Sequence, residues 1–109
     1  MSCKVSSSKG FKRDVKPLSK EYCSLKTEST TLFTSLEEAP TLGESSSHSC
    51  YKIRLGVAGK GKSKRGRARI VTYILVEDEE VILLVIYDKA VKRDLLPNEL
   101  DELLADLSD

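Results

Sequence analysis

Residues 58–69 read AGKGKSKRGRAR; Lys60, Lys62, Lys64, Arg65, Arg67 and Arg69 are basic and none of the stretch is acidic. Lys52 and Arg54 precede the run, and no acid occurs between Glu44 and Glu77. Ammonium and guanidinium groups neutralise phosphate, and interleaved glycines let backbone amides come close to it. The polarity reverses after Arg93, where Asp94, Glu99, Asp101, Glu102, Asp106 and Asp109 follow with no further base. A net charge of +1 over 109 residues therefore conceals a basic middle and an acidic tail. A solvated hairpin loop is the plain reading of such a run. The positive charge, however, continues onto both flanking segments, and this predicts a polyanionic partner.

Other chemistries fit the chain less well. GVAGKGKS, residues 56–63, matches the phosphate-cradling pattern G-x-x-x-x-G-K-S/T. That loop works only where it opens a helix whose N-terminus faces the phosphates. Here Ser63 leads into KRGRAR and then a strand-like segment, so nucleotide binding of that kind is excluded. His48 is the single histidine and lies in a Ser-rich loop; Cys3, Cys23 and Cys50 are scattered without a metal-ligand spacing. No metal site and no cofactor are expected, and three unclustered thiols suit a reducing cytoplasm. No apolar run approaches the roughly 20 residues that span a bilayer. The first 13 residues hold no apolar core of a secretory signal.

The elements that must position the cations follow from hydrophobic spacing. Residues 1–10 lack periodicity and are expected to be disordered, leaving residues 11–109 as one domain. Phe11, Val15, Leu18 and Tyr22 line one helix face, with Pro17 predicting a kink or a start near Lys16. Leu25, Leu32, Phe33 and Leu36 line a second helix, weakened by its threonines and ending before Pro40. In CYKIRL, Tyr51, Ile53 and Leu55 alternate with Lys52 and Arg54, which predicts a half-buried strand. ARIVTYILV is a second strand and VILLVIY, residues 81–87, a third, apolar on both faces and so expected to lie centrally. Residues 77–80 turn the hairpin between them. Leu100, Leu103, Leu104 and Leu107 fall at i, i+3, i+4 and i+7, a terminal helix with Pro97 in its first turn. The fold class is α+β: a two-helix N-terminal hairpin packed on a small antiparallel sheet, with a C-terminal helix. The other sheet face is expected to be open and to carry Lys52 and Arg54, with Arg69 beside them.

CYKIRL, the Gly/Lys-rich loop, ARIVTY, the acidic turn, VILLVIYDK and the terminal helix together resemble the RelE/ParE toxin superfamily, and within it the HigB-like and RelE-like branch of bacterial type II toxin–antitoxin systems. The resemblance spans nearly the whole chain and is strongest over residues 51–89. It implies a cytoplasmic toxin that cuts mRNA on the ribosome without a metal. It also implies neutralisation by a cognate antitoxin, and a toxin–antitoxin complex that can hold operator DNA. Carried over by position, the active-site set falls on Lys52, Arg54, Arg69 and Lys89. Tyr87 is a stacking or proton-transfer group, or else a core residue at a strand end. Lys60, Lys62, Lys64, Arg65 and Arg67 would hold RNA without reading its sequence. Crowding by other cations disfavours protonation of a lysine, which makes Lys52 the expected general base and Arg69 the phosphate clamp. The chain departs from the family in having no tyrosine after Tyr87 and in the bulk and charge of Lys64, Arg65 and Arg67. A non-catalytic or silenced nucleic-acid binder and a gyrase-directed toxin are the alternatives.

Overall fold

The computed structural model describes residues 4–45, 49–56, 68–75, 77–89 and 97–107. Cys3, His48 and the loop cations Lys60, Lys62, Lys64, Arg65 and Arg67 lie outside the described residues. The elements are β1 (Lys4–Ser7), α1 (Lys9–Glu21), α2 (Leu25–Glu38), β2 (Glu44–Ser45), β3 (Cys50–Leu55), β4 (Ala68–Leu75), β5 (Glu80–Asp88) and α3 (Pro97–Asp106). The strands form one sheet in the order β1-β5-β4-β3-β2. All neighbours are antiparallel except β1, which runs parallel to β5. No helix among the described residues is long and apolar enough to cross a membrane.

Residues 4–7 are a strand, contrary to the disorder expected of residues 1–10. Their own sequence, KVSS, has little strand pattern; what orders them is the edge of β5. An apolar strand left unpaired is a sticky template. The Lys4 amide donates to the Glu79 carbonyl at 2.9 Å, and Ser6 Oγ donates to a Glu80 carboxylate oxygen at 2.6 Å. The next residue starts α1. The Ser8 hydroxyl accepts from the Phe11 amide at 3.1 Å, which caps the helix, and donates to the Leu84 carbonyl at 2.7 Å.

Pro17 lies inside α1, so the helix does not begin near Lys16. Proline costs about 3 kcal/mol in a helix interior. Here it is exposed, while Phe11, Val15 and Leu18 pack into the core on the other side. Burying such side chains contributes about 1.5–3 kcal/mol each, enough to carry the helix through. In α2 the hydroxyls of Thr30, Thr31, Thr34 and Ser35 donate to carbonyls four residues back at 3.0–3.3 Å, so the threonine-rich surface satisfies its own polar groups.

Two apolar clusters lie on opposite faces of the sheet. On one face α1 and α2 cover Ile53, Leu55, Ala68, Ile70, Val81, Leu83 and Ile86 with Phe11, Tyr22, Leu25, Leu32 and Leu36. The other face is not open, as the sequence led us to expect. Leu100, Leu103, Leu104 and Leu107 of the C-terminal segment cover Cys50, Val71, Leu84, Val85 and Tyr87 there. A β-bulge makes this arrangement possible. Val71 pairs with Val85 but Thr72 with Leu83, so Leu84 is an extra residue on β5. The bulge exchanges the faces of β5 residues on its two sides. Leu84, Val85 and Tyr87 therefore point to α3, and Leu83, Val81 and Ile86 to α1 and α2. β5 is an interior strand, as its two-sided apolar sequence requires.

Candidate active site

The cations are brought together by strand register. In the β3–β4 pair Arg54 stands opposite Arg69, and Lys52 opposite Val71. In the β4–β5 pair Arg69 stands opposite Tyr87. Arg54, Arg69 and Tyr87 thus form one row across three strands, on the face that α3 partly covers. Directly opposed residues have Cβ atoms about 5 Å apart, so the row spans on the order of 10 Å. Lys52 is two residues along β3 from Arg54 and shares its face. Lys89 is exposed in the turn immediately after β5, two residues beyond Tyr87.

These groups differ sharply in access. Arg54 and Lys89 are exposed and Lys52 is half-buried. Arg69 and Tyr87 are each only 7% exposed. Arg69 Nη1 donates to the Ala68 carbonyl at 3.2 Å. Its side chain is buried, unlike those of Arg54 and Lys89. Tyr87 belongs to the apolar cluster under α3, so of its two sequence readings the core one describes its packing here. Two arginines opposed across a strand pair repel each other, and a bound anion would relieve that repulsion.

Two acids near the row were missed in the sequence. Glu44 opposes Lys52 in the β2–β3 pair, and one of its carboxylate oxygens lies 3.8 Å from Arg54 Nη2. In the sequence Glu44 only marks the boundary of the acid-free stretch. Gly43 is what brings Glu44 in. Its φ is +104°, and a Cβ there would lie 2.6 Å from the Lys52 carbonyl and 2.9 Å from Ile53 Cγ1. Only glycine lets the chain turn this tightly against β3. A glycine immediately before a lone acid was the available signal. The second acid is Asp88, between Tyr87 and Lys89. It is buried, faces the helix side, and accepts a 2.6 Å hydrogen bond from the Tyr22 hydroxyl at the C-cap of α1. That bond ties the end of β5, and with it Tyr87 and Lys89, to the helical layer.

Cys50 is fully buried on the same sheet face, at the other end of β3 from Arg54, and burial pushes its thiol up to about 11, so it is no nucleophile at neutral pH. Cys23 is exposed at the turn between α1 and α2. Among the described residues no three His, Cys, Asp or Glu side chains are grouped to hold a metal ion. The arrangement supplies dense positive charge, one carboxylate and one buried phenol: the means to bind a phosphodiester and stabilise charge on it.

No family model matches the sequence. Among solved structures, a mutant of the E. coli toxin RelE in the free state is similar, with a TM-score of 0.58 and 17% identity, over 85% of this chain and 90% of that one. The chain has a RelE-like α+β fold.

Proposed function

We propose that the protein is the toxin of a type II toxin–antitoxin pair, on the HigB-like branch of the RelE-like toxins, and that it is an endoribonuclease that cuts mRNA on the ribosome. One observation carries the reading: within a RelE-like fold, Lys52, Arg54, Arg69 and Tyr87 share one sheet face through strand register.

The chemistry is an internal transesterification. The 2′-oxygen of one nucleotide attacks the adjacent phosphorus, the O2′–P bond forms, and the bond from phosphorus to the 5′-oxygen breaks. The 2′ proton passes to Lys52 or, across the β2–β3 pair, to the Glu44 carboxylate. Arg54 holds the non-bridging oxygens and Arg69 stabilises their added charge from below. Lys89 supplies a proton to the departing 5′-oxygen. The cations provide the electrostatic stabilisation, so the route needs no metal. Lys60, Lys62, Lys64, Arg65 and Arg67 hold the flanking RNA backbone. The partners are an antitoxin, the ribosome with its message and, for the toxin–antitoxin complex, operator DNA; the place of action is the cytoplasm.

The burial of Arg69 and Tyr87 favours a second reading, a nucleic-acid binder that does not cut. Purified protein added to a translation mixture, with and without ribosomes and with and without a chelator, separates the two. Cleavage of the message only with ribosomes, unaffected by chelation, supports the toxin. An intact message with bound RNA supports the binder.

A further inference from the structure

We infer that the outer face of α1 is a second nucleic-acid surface, a docking stripe for the phosphate backbone of folded RNA, separate from the candidate active site. Lys9, Lys12, Arg13, Lys16 and Lys20 are all exposed on this helix. At 100° per residue they fall within an arc of about 100° and extend roughly 16 Å along the axis. The centre of that arc points away from Phe11, Val15 and Leu18, which pack on the sheet. The two acids of α1, Asp14 and Glu21, fall outside the arc, and Asp14 lies 3.2 Å from Arg13 Nε. Among the described residues Lys9, Lys12, Lys16 and Lys20 have no ion pair.

A solvated helix face ordinarily mixes the two signs at i, i+4 spacing. Here Lys9–Arg13, Lys12–Lys16 and Lys16–Lys20 are all like-charge pairs at that spacing. Lys9 also lies in the first turn, where the helix dipole disfavours a cation. These choices oppose the helix on its own and are relieved by an anionic partner of matching length. The stripe has no exposed apolar or aromatic side chain. A helix inserted in a membrane interface and a helical peptide docked in a groove both make apolar contacts, and the stripe offers none. A run of lysines without stacking groups holds phosphates and does not read bases.

The location defines the shape of the partner. α1 covers one face of the sheet, and Lys52 and Arg54 lie on the other. A short single strand lying on β3 does not reach around the layer to α1. An RNA that touches both faces must be folded and bulky. The choice of RNA over DNA rests on the function proposed above, but the binding test does not depend on cleavage.

The test is fluorescence anisotropy across a range of NaCl concentrations. The probes are a 40-nucleotide RNA hairpin of arbitrary sequence, an 8-nucleotide single-stranded RNA, a DNA duplex and anionic lipid vesicles. The proteins are wild type, a triple variant with Lys12→Gln, Lys16→Gln and Lys20→Gln, and its counterpart with arginine at the three positions. Circular dichroism checks that both variants stay folded. For the glutamine variant, hairpin affinity is expected to drop about tenfold or more. The slope of log affinity against log salt should fall by about two, with 8-mer binding unchanged. The arginine variant should bind as wild type does. Unchanged hairpin binding by the glutamine variant would overturn the inference. So would equal losses on hairpin and 8-mer, which mean a general charge effect. Preferential use of the stripe by the DNA duplex or the vesicles would assign it to another partner and overturn it as well.

Discussion

The two faces of the sheet are closed by helices of different make. One is sealed by α1 and α2 over fully buried Leu25, Leu36, Ile70, Val81 and Leu83. Its buried ionisable pair, Tyr22 with Asp88, is tied by a hydrogen bond. The other is covered by the single ten-residue helix α3, and on its β3 side it leaves Lys52 and Arg54 outside the apolar cluster. The proposed chemistry falls on the second face, and the sheet separates it from the two-helix layer. Substitutions in the first should lower stability, while those at the uncovered edge of the second should change binding and rate at little cost to the fold.

The largest expected effect tests this contrast directly. Leu83→Ala, under the two-helix layer, should cost about 2–5 kcal/mol in urea unfolding, and half-buried Leu103→Ala on α3 only about 1. Equal costs would break the contrast. Next comes Tyr22→Phe, which leaves a buried carboxylate without its hydroxyl donor. It should cost about 1.5–3 kcal/mol, again by urea unfolding, and a loss below about 0.5 would remove the Tyr22–Asp88 bond from the account.

The thiols give a pH-resolved probe of the second face. Burial raises Cys50 from 9.0 to about 11. At pH 8 an alkylating reagent should modify exposed Cys23 and leave Cys50 intact, as read by mass spectrometry of peptides. A thiol with a raised folded-state value stabilises the fold fully below pH 9, and that contribution is lost as pH rises toward 11. Replacing Cys50 by alanine should flatten unfolding curves over that interval. The smallest effect is on stability at the uncovered edge. Arg54 and Glu44 are each about two-thirds exposed, so Glu44→Gln should leave the unfolding free energy in urea unchanged within about 0.5 kcal/mol.

How much of this was legible in the sequence depended on pattern. The alternation of Tyr51, Ile53 and Leu55 with Lys52 and Arg54, and the spacing of the C-terminal leucines, carry their own structural instructions. The α+β class and the shared face of Lys52, Arg54 and Arg69 follow from them. Residues 81–87 carry no parity signal because every position is apolar, so the bulge at Leu84 was invisible. It settles which of these residues face α3. β1 was illegible for a different reason: its bonds are mainly backbone bonds to a partner 76 residues away. Glu44 carries no strand signal because a two-residue strand has no period, and only the tight approach at Gly43 marks it. Pro17 was read by local rule, and packing on the opposite face overrode it. The catalytic assignment of Lys52, Arg54, Arg69, Tyr87 and Lys89 came from family resemblance; the structure adds their placement and their differences in access.

The most direct measurement is primer extension on a message in a reconstituted translation system, with wild-type protein and Arg69→Ala compared side by side. The account predicts ribosome-dependent cuts with wild type and a loss of on the order of a hundredfold or more with the variant, both proteins remaining folded. Equal cutting by the two would contradict the assignment of Arg69 to the site. No cutting by either would contradict the nuclease itself and leave the basic face as a binding surface.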